Sequence, residues 1–144
     1  MAATAWVVHD KAKEKALIGE VDYDSDTFVV RLYLSTSGIT TTTVSDASSE
    51  DSDEVTNANG YTTGGEATTC TVTETAGTTK VDFTDAVWNA TSSGITCRYA
   101  ALVDTTLTPD EVIASCSLDT SDVTASAGNQ FTVQFHADGA FQVS

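Results

Sequence analysis

The sequence predicts a mainly β protein, an antiparallel β-sandwich or jelly-roll-like barrel with one short N-terminal helix. Ser, Thr, Gly and Val are plentiful while Leu and Lys are few, a bias toward strands joined by polar turns. Short apolar–polar alternations recur from Thr27 onward, separated by turns rich in Gly and Asn. Residues 9–19 have the composition and spacing of a helix.

Length and charge set the outer limits. A chain of 144 residues with 40% hydrophobic side chains suits one domain with a modest core, not a disordered acidic tail. We therefore expect a single domain over 1–144, with an N-terminal arm and helix at about 1–19. An exposed acidic loop is expected at about 36–56. The formal net charge is −15 with six basic residues in all. Such a surface repels phosphates and anionic lipid, so nucleic-acid and membrane partners are excluded. The first residues lack the basic and apolar regions of a signal peptide, and no apolar run reaches the roughly 18 residues of a membrane span. The product is therefore expected to be cytosolic at synthesis. Cys70, Cys97 and Cys116 are odd in number and widely spaced, and read as small half-buried strand residues in a reducing compartment.

Trp6-Val7-Val8 is a short apolar strand or docking segment. From His9 to Gly19 the chain reads as a helix that Asp10 can cap and Gly19 can end, with Ala12, Ala16 and Leu17 facing the sheet. Lys11, Lys13 and Lys15 place half of the basic residues on this helix. Asp22-Tyr23-Asp24-Ser25-Asp26 begins like a calcium loop, but Thr27 stands where glycine is needed and Tyr33 where glutamate is needed. It reads as a polar turn, and no metal site is expected.

Thr27 to Ser35 alternates best of all, with Phe28, Val30, Leu32 and Leu34 on one face and Arg31 on the other. It predicts a central strand. Ser35 to Glu54 then turns polar and acidic. Asn57-Ala58-Asn59-Gly60-Tyr61-Thr62-Thr63-Gly64-Gly65 predicts consecutive structural turns, because Asn57, Asn59, Gly60, Gly64 and Gly65 tolerate positive φ. Tyr61 is the lone large side chain within it, a peg for the corner. Thr69–Thr75 and Val81–Phe83 flank a hairpin turn at Ala76-Gly77-Thr78. Ile95 to Val103 reads as one long second central strand. Pro109 sits in a turn before Val112 to Leu118; Phe131, Val133 and Phe135 give a strand with an aromatic face, and Ala140 to Val143 closes the chain.

Catalytic chemistry is not signalled. His9 and His136 are the only histidines and read as surface or strand-face residues. No nucleophile elbow, zinc-protease helix or phosphate loop occurs, and Gly64-Gly65 lacks the Lys-Thr that would follow in a phosphate cradle. No catalytic residue and no cofactor is expected.

Residues 13–27, 59–65, 95–100, 127–133 and 138–141 together resemble stretches of a family of small tailed-bacteriophage virion structural proteins. They are Lys13-Glu14-Lys15-Ala16-Leu17 with Gly19, then Asp22 and Asp26-Thr27 before an apolar strand. Asn59-Gly60-Tyr61-Thr62-Thr63-Gly64-Gly65 is the most distinctive stretch, and Ile95-Thr96-Cys97-Arg98-Tyr99-Ala100 resembles the family's Ile-Thr-Ala-Arg-Tyr-Ala strand. Ala127 to Val133 and Asp138-Gly139-Ala140-Phe141 resemble its closing strands. The chain departs in its longer acidic loop, Ser45 to Glu54, and in Val112-Ile113 where Leu-Ile is usual. The resemblance implies a non-enzymatic phage particle component located in the virion. On this basis the first expectation is a capsid decoration (cement) protein at the capsid surface, partnered by the major capsid protein and by copies of itself as a dimer or trimer. Trp6, Val7, Lys11, Lys13, Lys15 and Tyr61 are the candidate contacts. The alternative is a tail, neck or fibre component that binds a host-surface glycan.

Overall fold

The computed structural model describes residues 4–144. The chain forms a β-sandwich-like fold of antiparallel sheets with a short N-terminal helix. Its elements are β1 (Val7–Val8), α1 (Asp10–Leu17), β2 (Phe28–Tyr33), a 3-10 segment (Ala47–Asp53), β3 (Glu66–Thr68), β4 (Cys70–Thr75) and β5 (Thr78–Phe83). They continue as β6 (Ala86–Asn89), β7 (Ile95–Cys97), β8 (Tyr99–Asp104), β9 (Glu111–Ser117), β10 (Val123–Ala125), β11 (Gln130–Val133) and β12 (Phe141–Val143).

One layer is a five-stranded antiparallel sheet in the order β1-β9-β8-β2-β3. Facing it are three antiparallel ribbons, β10-β7, β11-β6 and β12-β5-β4. Alternation decides what lies between them. Phe28, Val30 and Leu32 of β2, Ala100 and Leu102 of β8, and Ala114 and Cys116 of β9 turn one face inward. They share one core with Val81, Phe83, Trp88, Ile95, Phe131 and Val133 of the ribbons. Phe28 of β2 packs edge-to-face on Phe83 of β5 at 5.3 Å between centroids and knits the layers, while Trp88 meets Phe131, its partner within the β11-β6 ribbon, edge-on at 6.2 Å. The β4–β5 hairpin closes through Ala76 (φ 52) and Gly77 (φ 87), the paired positive angles of a tight two-residue turn.

The acidic stretch from Ser35 to Glu54 differs from the expected exposed loop. Tyr33, Ala101, Val103 and Val112 make the second face of the large sheet apolar as well, and that face needs a cover. Ile39 and Ala47 supply it, both fully buried, with Val44 packed beside them. Polar residues hold this cover down. Glu50 Oε2 accepts from Ser37 Oγ and the Gly38 amide, each at 2.7 Å, and Asp46 caps the 3-10 segment by accepting the Ser48 amide at 2.9 Å. Backbone bonds from Ala47 to Asp110 and from Val112 to Ser45 fasten it to β9. Its few apolar residues face the sheet, Asp51 is exposed, and Glu54 at its end is buried.

The long strand expected from Ile95 to Val103 is two strands that belong to different layers. Arg98 breaks it, its amide donating to the Tyr33 carbonyl and its carbonyl accepting the Leu118 amide. The break shifts the alternation by one residue. Ile95 and Cys97 enter the inter-layer core, whereas beyond the break it is Ala100 and Leu102 that do so. Helix α1 starts after His9 and seats Ala12 in the core, but Leu17 is 89% exposed rather than packed on the sheet.

Candidate functional site

Tyr61, expected as a contact residue, is only 2% exposed and touches no outer surface. Positive φ at Asn59, Gly60, Gly64 and Gly65 folds the chain on both sides of it and drives the ring inward beside Trp88 at 5.9 Å. Asn57 is exposed at the start of the turn and keeps an ordinary backbone. The Tyr61 hydroxyl donates to Glu54 Oε1 at 2.6 Å and accepts the Leu32 amide at 3.1 Å. The Gly64 amide donates to the same Glu54 oxygen at 2.7 Å. Burial, reinforced by the Glu54 bond, keeps the phenol protonated at any ordinary pH. The turn is a structural corner.

A buried Ser–His pair is the feature least visible in the sequence. His9 has no exposure, against the expectation of a surface or strand-face residue. Its Nδ1 lies 2.6 Å from the Val44 carbonyl, and its Nε2 lies 2.7 Å from Ser115 Oγ. A carbonyl can only accept, so Nδ1 carries the hydrogen and the Ser115 hydroxyl donates to Nε2. Burial lowers the imidazole pKa below its usual value, which favours this neutral form. Serine on histidine is the first bond of a nucleophile–base pair. Here Ser115 is 1% exposed and a carbonyl stands in the orienting carboxylate's place, so no substrate atom can approach the hydroxyl. The pair clamps the N-terminal arm, the acidic cover and β9 together.

Cationic side chains are neutralised within the chain. Lys11 pairs with Glu14, Lys13 with Asp10, and Lys80 with Asp82. Arg31 pairs with Asp110, and Arg98 with Asp122. Lys15 turns inward to Glu111 at 2.7 Å, which removes it from the outer face of the helix. All six Lys and Arg are therefore engaged, and the charge left outside is negative. The Asp22–Asp26 turn spends its carboxylates on its own backbone, through the amides of Asp24 and Asp22. Among the described residues no three His, Cys, Asp or Glu side chains are placed to hold a metal ion. The cysteines are free thiols, and burial pushes Cys97 and Cys116 up to about 12 and Cys70 up to about 11, which disfavours the thiolate at all three.

Apolar exposure concentrates on the N-terminal arm. Val7, Leu17 and Ile18 are three of the seven large apolar side chains exposed among the described residues. Ile18 is 61% exposed next to Leu17, and the two form a knob at the end of α1. Neither was singled out as a contact from sequence, because helical spacing assigned Leu17 to the core. Trp6 is half-buried and stacks on Phe135 at 4.8 Å. The two rings line an open groove of about 880 Å³ between the arm and the 134–142 connection, with Gln134, His136, Phe141 and Gln142 also on its walls.

Among the described residues no helix is long and apolar enough to cross a membrane. The chain matches no protein-family model, no curated protein and no solved structure.

Proposed function

We propose that this protein is a non-enzymatic virion component of a tailed bacteriophage, and that it decorates the capsid as a cement protein. The observation that carries the reading is the division of its surface. The body is a rigid sandwich whose cations are all neutralised internally, leaving an acidic exterior. The arm alone combines a bare Leu17–Ile18 knob with Val7 and the Trp6 groove. An acidic body keeps particles apart, while a small apolar contact repeated at many lattice positions gains avidity without needing high affinity at each. Binding only the assembled shell stabilises it by mass action. The resemblance to tailed-phage structural proteins points the same way. In this reading Trp6 and Val7 contact the major capsid protein or a second copy, and Lys11 and Lys13 frame that contact.

The test is add-back. Purified protein is mixed with capsid shells lacking it, beside a variant carrying Leu17→Glu and Ile18→Glu. Saturable binding by the wild type, lost in a variant with an unchanged melting midpoint, is the expected result. No binding by the wild type, or full binding by the variant, overturns the reading.

One feature favours a second reading, a tail or fibre module that holds a host-surface glycan. Trp6 offers an indole in an open groove ringed by Gln134 and Gln142, groups suited to sugar hydroxyls. Trp88 cannot serve, being buried in the core.

A further inference from the structure

Among the described residues one sheet edge is long and bare. The edge strands β1, β3, β7, β10 and β12 have two or three residues and β6 and β11 have four, whereas β4 has six. It ends the ribbon β12-β5-β4, its register with β5 runs without a shift, and Thr71 to Thr75 are all exposed. Natural sheet edges are blunted by lysine, proline, a bulge or a covering loop. β4 carries none of these.

Its charge is as unusual as its length. The chain has 21 acidic residues, yet Glu74 is the one charged residue from Ala67 to Thr79. Glu74 Oε1 accepts the Gly77 amide at 2.7 Å, so this carboxylate is turned back on its own hairpin. Along this strip two chains of net charge −15 can approach with little repulsion. Val72, 47% exposed, stands in its middle.

The hairpin decides which backbone groups are free. Thr75 lies opposite Thr78 across the Ala76-Gly77 turn, the place of a hydrogen-bonded pair in a tight hairpin. Such pairs recur at every second residue, so Thr73 bonds to Lys80 and Thr71 to Asp82. The Thr84 amide, donating to the Thr69 carbonyl at 3.0 Å, keeps the same phase. Cys70, Val72 and Glu74 therefore turn their amides and carbonyls away from β5, toward the free edge.

That row is its own complement. A two-fold axis at Val72 sets Val72 against Val72 of a second copy, and Cys70 against Glu74 of that copy, all as hydrogen-bonded pairs. Thr71 then stands opposite Thr73 of the second copy, a cross-strand contact between β-branched side chains that favours pairing. The two Val72 side chains cover each other, and the two Glu74 carboxylates lie on opposite sides of the axis.

We propose that β4 is a homodimer interface, where two copies join through antiparallel β4 strands into one sheet running β12-β5-β4-β4-β5-β12. The contact is made by backbone groups of this chain, and it holds whether the protein sits on a capsid or in a tail. One pair of strands is a small interface, so the dimer is weak in solution, with a Kd of about 10–100 µM.

Sedimentation equilibrium of the full chain from about 10 µM to about 1 mM brackets that value. The mean mass is expected to climb from the 15.0 kDa of one chain toward that of two, and no further. Val72→Lys sets like charges against each other at the axis, and Val72→Pro removes an N–H that bonds nothing within one chain. Both variants are expected to stay monomeric with melting midpoints close to the wild type, while Leu17→Glu with Ile18→Glu dimerises as the wild type does. Amide exchange at Val72 and Glu74 is expected to be about fivefold slower at the highest concentration than at the lowest, with Thr71 and Thr73 unchanged. A monomer throughout, growth beyond two chains, or undiminished dimerisation in both Val72 variants overturns the proposal. If neither variant folds, exchange in the wild type decides, and concentration-independent rates at Val72 and Glu74 overturn it.

Discussion

The Tyr61 hydroxyl donates to Glu54 at 2.6 Å and accepts the Leu32 amide at 3.1 Å, so one oxygen joins the corner, the end of the acidic cover and a central strand. Glu54 is itself buried and takes a second bond from the Gly64 amide. Tyr61→Phe keeps the ring and removes both hydroxyl bonds. We expect a loss of about 1–3 kcal/mol from the groups left unpaired. Tyr61→Ala adds a cavity beside Trp88 and is expected to cost about 2–4 kcal/mol. Urea unfolding of the three proteins measures both. Equal midpoints for wild type and Tyr61→Phe would show that the hydroxyl contributes nothing.

The His9–Ser115 pair makes stability depend on pH. Burial lowers the folded-state pKa of His9, so on acidification the unfolded chain takes up the proton first. The stability due to neutral His9 is complete above about pH 6.5 and is lost as pH falls below it. In His9→Gln this part of the profile flattens, seen as a wild-type minus variant difference in unfolding free energy that shrinks from pH 7.5 to pH 5.5. Ser115→Ala leaves Nε2 without its donor and is expected to cost about 1–3 kcal/mol at pH 7.5.

Glycines with the same sign of φ differ in what surrounds them. A Cβ on Gly60 would lie 2.0 Å from the Asn89 carbonyl oxygen, and one on Gly65 would lie 2.2 Å from that of Val30. Both contacts are with backbone, which cannot swing aside. Gly60→Ala and Gly65→Ala are expected to be insoluble or to melt far below the wild type. Gly128 has an equally positive φ with no atom within 4 Å of the added carbon, so Gly128→Ala should lose only about 1–2 kcal/mol. Thermal melts of the three variants separate steric contact from backbone preference.

Much of the fold was legible because alternation is a local signal. Phe28, Val30 and Leu32 announce β2, and the Ala76-Gly77 pair announces its hairpin. What escaped is non-local. Ile39 and Ala47 look isolated in an acidic stretch, and only the apolar second face of β2, β8 and β9 explains why they are buried. Arg98 reads as an outward residue of one long strand until the carbonyl of Tyr33 and the carboxylate of Asp122 show it turning the chain between layers. Lys15 looked like one of three surface cations, yet Glu111, some hundred residues later, draws it inward. His9 precedes a helix as a capping-region residue commonly does, and nothing in its neighbours reveals Val44 or Ser115 as partners. For the candidate surface, Trp6 and Val7 were visible as an apolar arm, while the Leu17–Ile18 knob was hidden by a helical spacing that pointed Leu17 inward.

The most direct test of the proposed role is a count. On the proposed reading, purified virions of the encoding phage would be digested, and this chain's peptides quantified by mass spectrometry against those of the major capsid protein. A decoration protein gives hundreds of copies per particle, in a fixed ratio to the capsid subunit. A few to a few dozen copies would contradict the decoration role and place the protein in the tail or neck, and its absence from virions would contradict both readings.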